Sequence, residues 1–152
     1  NDDCVVPSNL NRQHYFIRDI GKQKVHALAE HLLAINPHAR LDVEPRRITP
    51  DNLSAVFGRV DILVEAVDRA ETKQWLIRCW HREYPEKPLI IGNGIAGYGH
   101  SERIRIERMG TLYFCGDMTT EQDMGLAGPR VLIVAAMQAN LVLELLMEGG
   151  SE

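Results

Sequence analysis

Cysteine, basic charge and long apolar runs are all scarce in this chain, and each shortage argues against a class of protein. Only three cysteines occur in 152 residues, Cys4, Cys79 and Cys115, and no two form a C-x-x-C pair. An odd, scattered set of this kind speaks against a disulfide framework or a cysteine-based zinc site, and a reducing cytoplasm is the expected location. The six histidines show neither H-x-H nor H-E-x-x-H spacing, so no metal site is expected from them. With 17 basic against 21 acidic residues the net charge is −4, and nucleic acid is not an expected partner. The longest charge-free run near the C-terminus, residues 131–143, carries Gln138 and Asn140. It reads as too short and too polar for a bilayer, which takes about 20 apolar residues, so no membrane association is expected. No signal-peptide pattern and no initiator Met precede the opening Asn1-Asp2-Asp3, which reads as the middle of something longer.

What is present is the balance of a soluble globular protein: 45% hydrophobic and 25% charged residues. The length suits one ordinary domain, 1–152, with a real core. Apolar periodicity predicts a helix over residues 21–36, capped by Asp19 and stopped by Asn36-Pro37. A short strand is expected at 40–44, and a helix from Thr49-Pro50 to about Gly58. The run VDILVEAV, 60–67, has the composition of a buried parallel strand. A helix over 68–84 comes next, carrying Trp75 and Trp80 as core residues, and then a second buried strand at 88–91. Residues 103–115 read as a hairpin turning at Met109-Gly110, and 121–128 as a loose loop. The last helix, 129–147, is apolar on most sides and expected to be well covered, fraying at Gly149-Gly150. This βαβα order predicts a layered α/β sheet, with ligands at the carboxyl ends of its strands.

Gly92-Asn-Gly94-Ile-Ala-Gly97 matches G-x-G-x-x-G after an apolar strand, but the context fails. The fingerprint needs a helix opening at the loop to receive a pyrophosphate. Here Tyr98-Gly99-His100 and then an alternating segment come after it. A glycine-lined strand end, where another backbone approaches closely, is the better reading, with an NAD-dependent oxidoreductase as the weaker alternative.

Three places carry chemistry. The cluster Ser8-Asn9-Leu10-Asn11-Arg12-Gln13 is either a capping turn with Arg12 on the surface, or an amide and guanidinium clamp for phosphate oxygens. Lys24 shares a helical stripe with Leu28, Leu32 and Ile35, so it either snorkels from a buried face or reaches into a cleft to hold phosphate. Asp68 opens an Asp-x-x-Glu capping box with Glu71, and it also sits at a strand's carboxyl end, where a magnesium-binding carboxylate belongs. Cys115 reads as a buried, inert thiol rather than a reactive one.

The run Pro7-Ser-Asn-Leu-Asn-Arg-Gln13, then Asp19-Ile-Gly-Lys-Gln-Lys-Val25, then Ile35-Asn-Pro37, resembles the ThiF/MoeB/HesA family, bacterial relatives of ubiquitin-activating enzymes. Residues 60–68 match the strand-plus-Asp element, and Leu112-Tyr-Phe-Cys-Gly-Asp117 and the final helix are similar to the ThiF branch. The resemblance implies a Rossmann-like α/β sheet of the ThiF/MoeB type. It also implies adenylylation, with ATP and Mg2+, of the C-terminal Gly-Gly of a ubiquitin-fold sulfur carrier like ThiS, in thiamine biosynthesis. In such a site Arg12, Lys24 and Asp68 would be catalytic, Asp68 holding Mg2+, while Asp3, Ser8, Asn9, Asn11, Gln13 and Arg69 line the nucleotide. A homodimer is implied too; paired C-x-x-C zinc ligands are not present to be inherited. Family members open with a strand, a glycine-rich loop and a helix; this chain is expected to lack them, with Asn1 and Asp3 falling at the two acidic positions that come after. That leaves a remnant that docks a carrier without activating it as the rival expectation.

Overall fold

The computed structural model describes residues 3–120 and 122–149, and the chain divides into two compact units, 1–52 and 53–152. Asn1, Asp2 and Gly150 lie outside the described residues.

In the first unit, residues 3–5 run alongside 21–24. Val5 N–H donates to Lys22 O at 2.8 Å, Gly21 N–H to Val5 O at 2.9 Å, and Lys24 N–H to Asp3 O at 2.9 Å. Two 3-10 turns, Pro7–Asn9 and Ile17–Asp19, precede helix α1, Lys24–Ile35. The helix starts later than its periodicity predicts, with Gln23 rather than Asp19 at the cap. Asp19 serves the interior instead. It is fully buried, and its Oδ2 accepts from Phe16 N–H at 2.9 Å and faces His31 Nε2 at 3.0 Å. The Phe16 N–H holds the Asp19 carboxyl below the usual range, and Lys22 and His31 add to this. That anchoring also corrects the phase of α1. Ala27 and His31 face inward, whereas Leu28, Leu32 and Ile35, the expected core stripe, are exposed. No strand forms at 40–44, because a ladder needs a neighbouring edge, and among its described residues this unit offers only the isolated Cys4–Gln23 bridge. Thr49 N–H donates to Asn52 Oδ1 at 2.9 Å, closing a turn.

The second unit is a layered α/β arrangement. Helix α2, Leu53–Phe57, leads to β1, Leu63–Glu65; α3, Ala70–Glu83, to β2, Leu89–Gly92; β3, Arg105–Met109, and β4, Leu112–Gly116, precede α4, Gly128–Glu148. The sheet order is β1-β2-β4-β3, with β1, β2 and β4 parallel and β3 antiparallel to β4. The predicted hairpin is thus present, turning at Gly110. β2 is buried throughout, as its Leu-Ile-Ile run requires. On one face Ile90, Tyr113 and Cys115 pack with Val134 and Leu141 of α4. α3 packs against β2 and buries Leu76 and Trp80, while Trp75 is only partly covered.

α4 is not the covered helix its composition suggests. Arg130, Val134 and Leu141 are buried, but Leu132, Leu143, Leu146 and Met147 are exposed, since the sheet covers a single face. The helix extends past both ends of the charge-free run. By length and composition it is therefore apolar enough to cross a membrane, contrary to expectation; its packing on the sheet is that of a helix docked on protein. Nor is 121–128 wholly irregular. Residue 121 is outside the described set, but Gln122–Met124 is a 3-10 turn and Leu126 bridges to Gly97.

The glycine run behaves as a close-approach element. It leads into a 3-10 turn, Ser101–Arg103, and then β3, not into an α-helix. Gly116, at φ +144°, lies so close to Asn93 that a Cβ there would collide with the Asn93 carbonyl oxygen. Gly116→Ala should therefore lower stability by about 1–3 kcal/mol, read as a drop in urea midpoint. An unchanged midpoint would mean that the β2 and β4 ends separate at little cost.

Candidate nucleotide and carrier site

Pro7 opens the first 3-10 turn, and within it Asn9 is buried, its Oδ1 accepting from Val6 N–H at 3.0 Å. Arg12 folds back on the same turn: Nη1 donates to Ser8 O at 2.8 Å and to Asn11 Oδ1 at 2.9 Å. Ser8, Asn11 and Arg12 are thus brought together, with Ser8 and Asn11 exposed and Arg12 and Gln13 half-buried. The capping-turn reading accounts for Asn9, and the Arg12 guanidinium closes back on the same turn.

Lys24 is the first residue of α1, and its Nζ lies 3.6 Å from Asp3 Oδ2. Its side chain is 17% exposed, against 58% for Asp3. A helix N-terminus carries a partial positive charge that disfavours a cation. The stability of α1 therefore does not call for a lysine at this position.

In the second unit Asp68 and Arg69 come after β1 at its carboxyl end, both exposed. The capping box does not form, because α3 begins at Ala70 and Arg69 occupies the cap without a side-chain hydrogen bond. Asp68 is placed one residue further out, on the turn rather than in the helix. Among the described residues no group of three or more His, Cys, Asp and Glu could hold a metal by itself. A magnesium ion bound with a nucleotide needs only one or two carboxylates, the phosphates and water supplying the rest. An exposed carboxylate at a strand's carboxyl end fits that requirement.

Two ion pairs with a buried carboxylate have no counterpart in the sequence reading. Glu65, in β1, accepts from Val67 N–H at 2.6 Å and faces Lys73 Nζ at 3.2 Å, while Lys73 also donates to Gly92 O. Burial pushes the Glu65 carboxyl up, against the pull of Lys73. Asp117 and Arg130 are each 4% exposed and pair directly. Burial alone would raise the Asp117 carboxyl. Hydrogen bonds from the Thr120 hydroxyl and the Thr119 and Thr120 N–H groups, with the Arg130 charge, outweigh it and hold the group far below the usual carboxylate range. The signal available in sequence was a charge inside an apolar segment, Glu65 in VDILVEAV and Arg130 at the head of an apolar helix, since such charges are buried only when paired. Cys115 is fully buried and its thiol is pushed up by that burial, as an inert cysteine should be.

A mainly parallel sheet with α3 and α4 packed on it and charged turns at the carboxyl ends of its strands defines a Rossmann-like α/β protein. The chain belongs to the ThiF family, which it matches over residues 1–152. It is similar to the adenylyltransferase and sulfurtransferase UBA4 of Debaryomyces hansenii, 23% identical over 91% of this chain and 32% of the relative. It is also similar to the sulfur carrier protein adenylyltransferase of Thermus thermophilus, 27% identical over 95% of this chain and 58% of the relative. The tRNA N6-threonylcarbamoyladenosine dehydratase of Escherichia coli, solved in complex with AMP, superposes with a TM-score of 0.87 at 20% identity, over 100% of this chain and 76% of that one. This last likeness establishes the fold. The chain spans about a third of the length of the yeast relative.

Proposed function

We propose that this chain adenylylates the C-terminal Gly-Gly carboxylate of a ubiquitin-fold sulfur carrier protein of the ThiS type, with ATP as the nucleotide. The carrier's carboxylate oxygen attacks the α-phosphorus, an acyl–phosphate bond forms, and the α–β bridging bond breaks to release pyrophosphate. The nucleophile is already ionised near neutral pH, so no general base is needed. The work left to the protein is positioning and charge neutralisation.

Arg12 and Asn9 hold phosphate oxygens, and Lys24 neutralises charge that builds up on them. Asp3, Ser8, Asn11, Gln13 and Arg69 line the nucleotide. Asp68 is the residue that would hold magnesium, which when bound neutralises charge on the phosphates. The observation that supports this reading best is Lys24 itself: a largely covered cation beside an acidic partner, at the helix end where the dipole opposes it. Residues kept against local stability are characteristic of binding and catalysis.

The test is carrier-dependent ATP–pyrophosphate exchange, using a ThiS-type protein ending in Gly-Gly. Exchange is the expected result, and Asp68→Asn should reduce it at least about tenfold and raise the magnesium concentration needed for half-maximal rate. Exchange unchanged in that variant would remove Asp68 from the metal role. A folded protein that binds the carrier with no response to ATP would instead be a docking remnant.

A further inference from the structure

The loop after β2 is tied down by cations at both ends, a part-buried lysine and a buried arginine. Lys73 donates to Gly92 O at its start. Arg130 Nη1 donates to Gly99 O at 2.9 Å, and Nη2 reaches Gly94 O at 3.4 Å while pairing with Asp117. Asp117 is itself fixed, accepting from Thr119 and Thr120 N–H at 3.0 and 2.8 Å, and it packs where a Cβ on Gly94 would stand. One guanidinium therefore joins two carbonyls of the glycine loop to the turn after β4.

Between that loop and that turn lies a cavity of about 550 Å3, lined by Gly97, Tyr98, Arg103, Thr120, Met124 and Arg130 among others. It sits beyond the carboxyl ends of β2 and β4, where α/β sheets place their ligands. Its charges balance, Arg103 and Arg130 against Asp117 and Asp123, and Arg130 is already committed to Asp117. That balance is poor for a triphosphate, which recruits unmatched positive charge. It suits the uncharged backbone of an extended chain of very small residues, with the exposed Tyr98 and Met124 at its flanks.

We propose that Arg130 is a positioning residue: through Gly94 O, Gly99 O and Asp117 it sets the shape of the glycine loop, and so the fit of this cavity to the glycine-rich C-terminal tail of the carrier. The proposal rests on the adenylyltransferase reading above. It requires a fork and not merely a positive charge, because the three acceptors are held from two different nitrogens. A lysine is a compact point charge that can keep the pair with Asp117 but not the spread of the fork.

Arg130→Lys separates these roles. The expected result is a carrier KM raised at least about tenfold, equivalent to about 1.4 kcal/mol, with ATP KM and kcat changed less than about twofold. Amide hydrogen exchange of residues 94–99 should speed up. Tyr98→Ala, at an exposed position that the fold does not need, should raise the carrier KM in the same selective way, and Tyr98→Phe should restore it. An unchanged carrier KM in Arg130→Lys, or an equal rise in ATP KM, overturns the positioning role while leaving the adenylyltransferase reading intact. Absence of carrier-dependent exchange in the wild-type protein overturns that reading, and the assignment of the cavity with it.

Discussion

Replacing Lys24 with methionine should lower carrier-dependent ATP–pyrophosphate exchange by about a hundred- to a thousandfold, while the melting temperature stays level or rises. The two halves of this expectation have different physical origins. Lys24 occupies the first position of α1, where the helix dipole already presents partial positive charge, so removing a cation relieves the helix by about 0.3–1 kcal/mol. The ion pair with Asp3 works the other way, but at 3.6 Å with a largely exposed carboxylate it contributes little, about 0–1 kcal/mol. Methionine keeps most of the stem's apolar bulk, so packing is spared. The catalytic loss arises because a desolvated ammonium beside developing phosphate charge has no substitute in a thioether. A variant that loses activity only in proportion to a loss of folded protein would place Lys24 in the scaffold. Full activity would remove it from the site.

The parts of the fold that can be read from sequence are those set by short-range rules. β2 is a brief apolar run between turn residues, β1 fills only Leu63–Glu65 of the expected 60–67 and leaves Val64 exposed, and the hairpin is marked by alternation around a glycine at positive φ, Gly110. The glycine fingerprint fails on a checkable requirement, a helix N-terminus at the loop, and Ser101–Arg103 does not supply one. Features hidden from the sequence depend on partners. The phase of α1 is decided by Asp19 and His31, which carry a polar contact inward and turn Leu28 and Leu32 outward. Periodicity alone assigns the apolar stripe to the core. The stretch 40–44 has strand composition but pairs with no edge among the described residues of its unit. In α4 an all-round apolar surface implies burial that one sheet face cannot supply.

The candidate residues divide in the same way. Arg12, Lys24 and Asp68 are visible through a motif, whereas the Asp117–Arg130 link joins residues on different elements and becomes visible only with the packing. Asp68 shows the limit of local pattern. Its capping box is a sound expectation from Asp-Arg-Ala-Glu, and it fails by a single residue because α3 starts at Ala70. That shift leaves the Asp68 carboxylate on the turn after β1.

Asp117→Ala should cost about 3–5 kcal/mol of stability. The deletion leaves the Arg130 guanidinium buried without its counter-ion, and it strips the Thr119 and Thr120 N–H groups of their acceptor. The pH dependence has a definite sign. Because the folded-state carboxyl titrates below its unfolded value of about 3.9, its contribution is fully present above that value and is lost as pH falls through the folded one. Wild-type protein should therefore lose stability steeply below about pH 4, and the variant's profile should be flatter there. The double variant Asp117→Ala with Arg130→Met discriminates further. If the cost lies mainly in the stranded charge, removing Arg130 as well should recover a substantial part of it, as apolar replacement of a buried pair often does. A double variant as unstable as the sum of the two singles would show instead that each residue stabilises the fold through its own backbone contacts, Arg130 through Gly94 and Gly99 and Asp117 through the threonine turn. Urea midpoints for the four proteins at pH 7 and pH 3.5 provide the comparison.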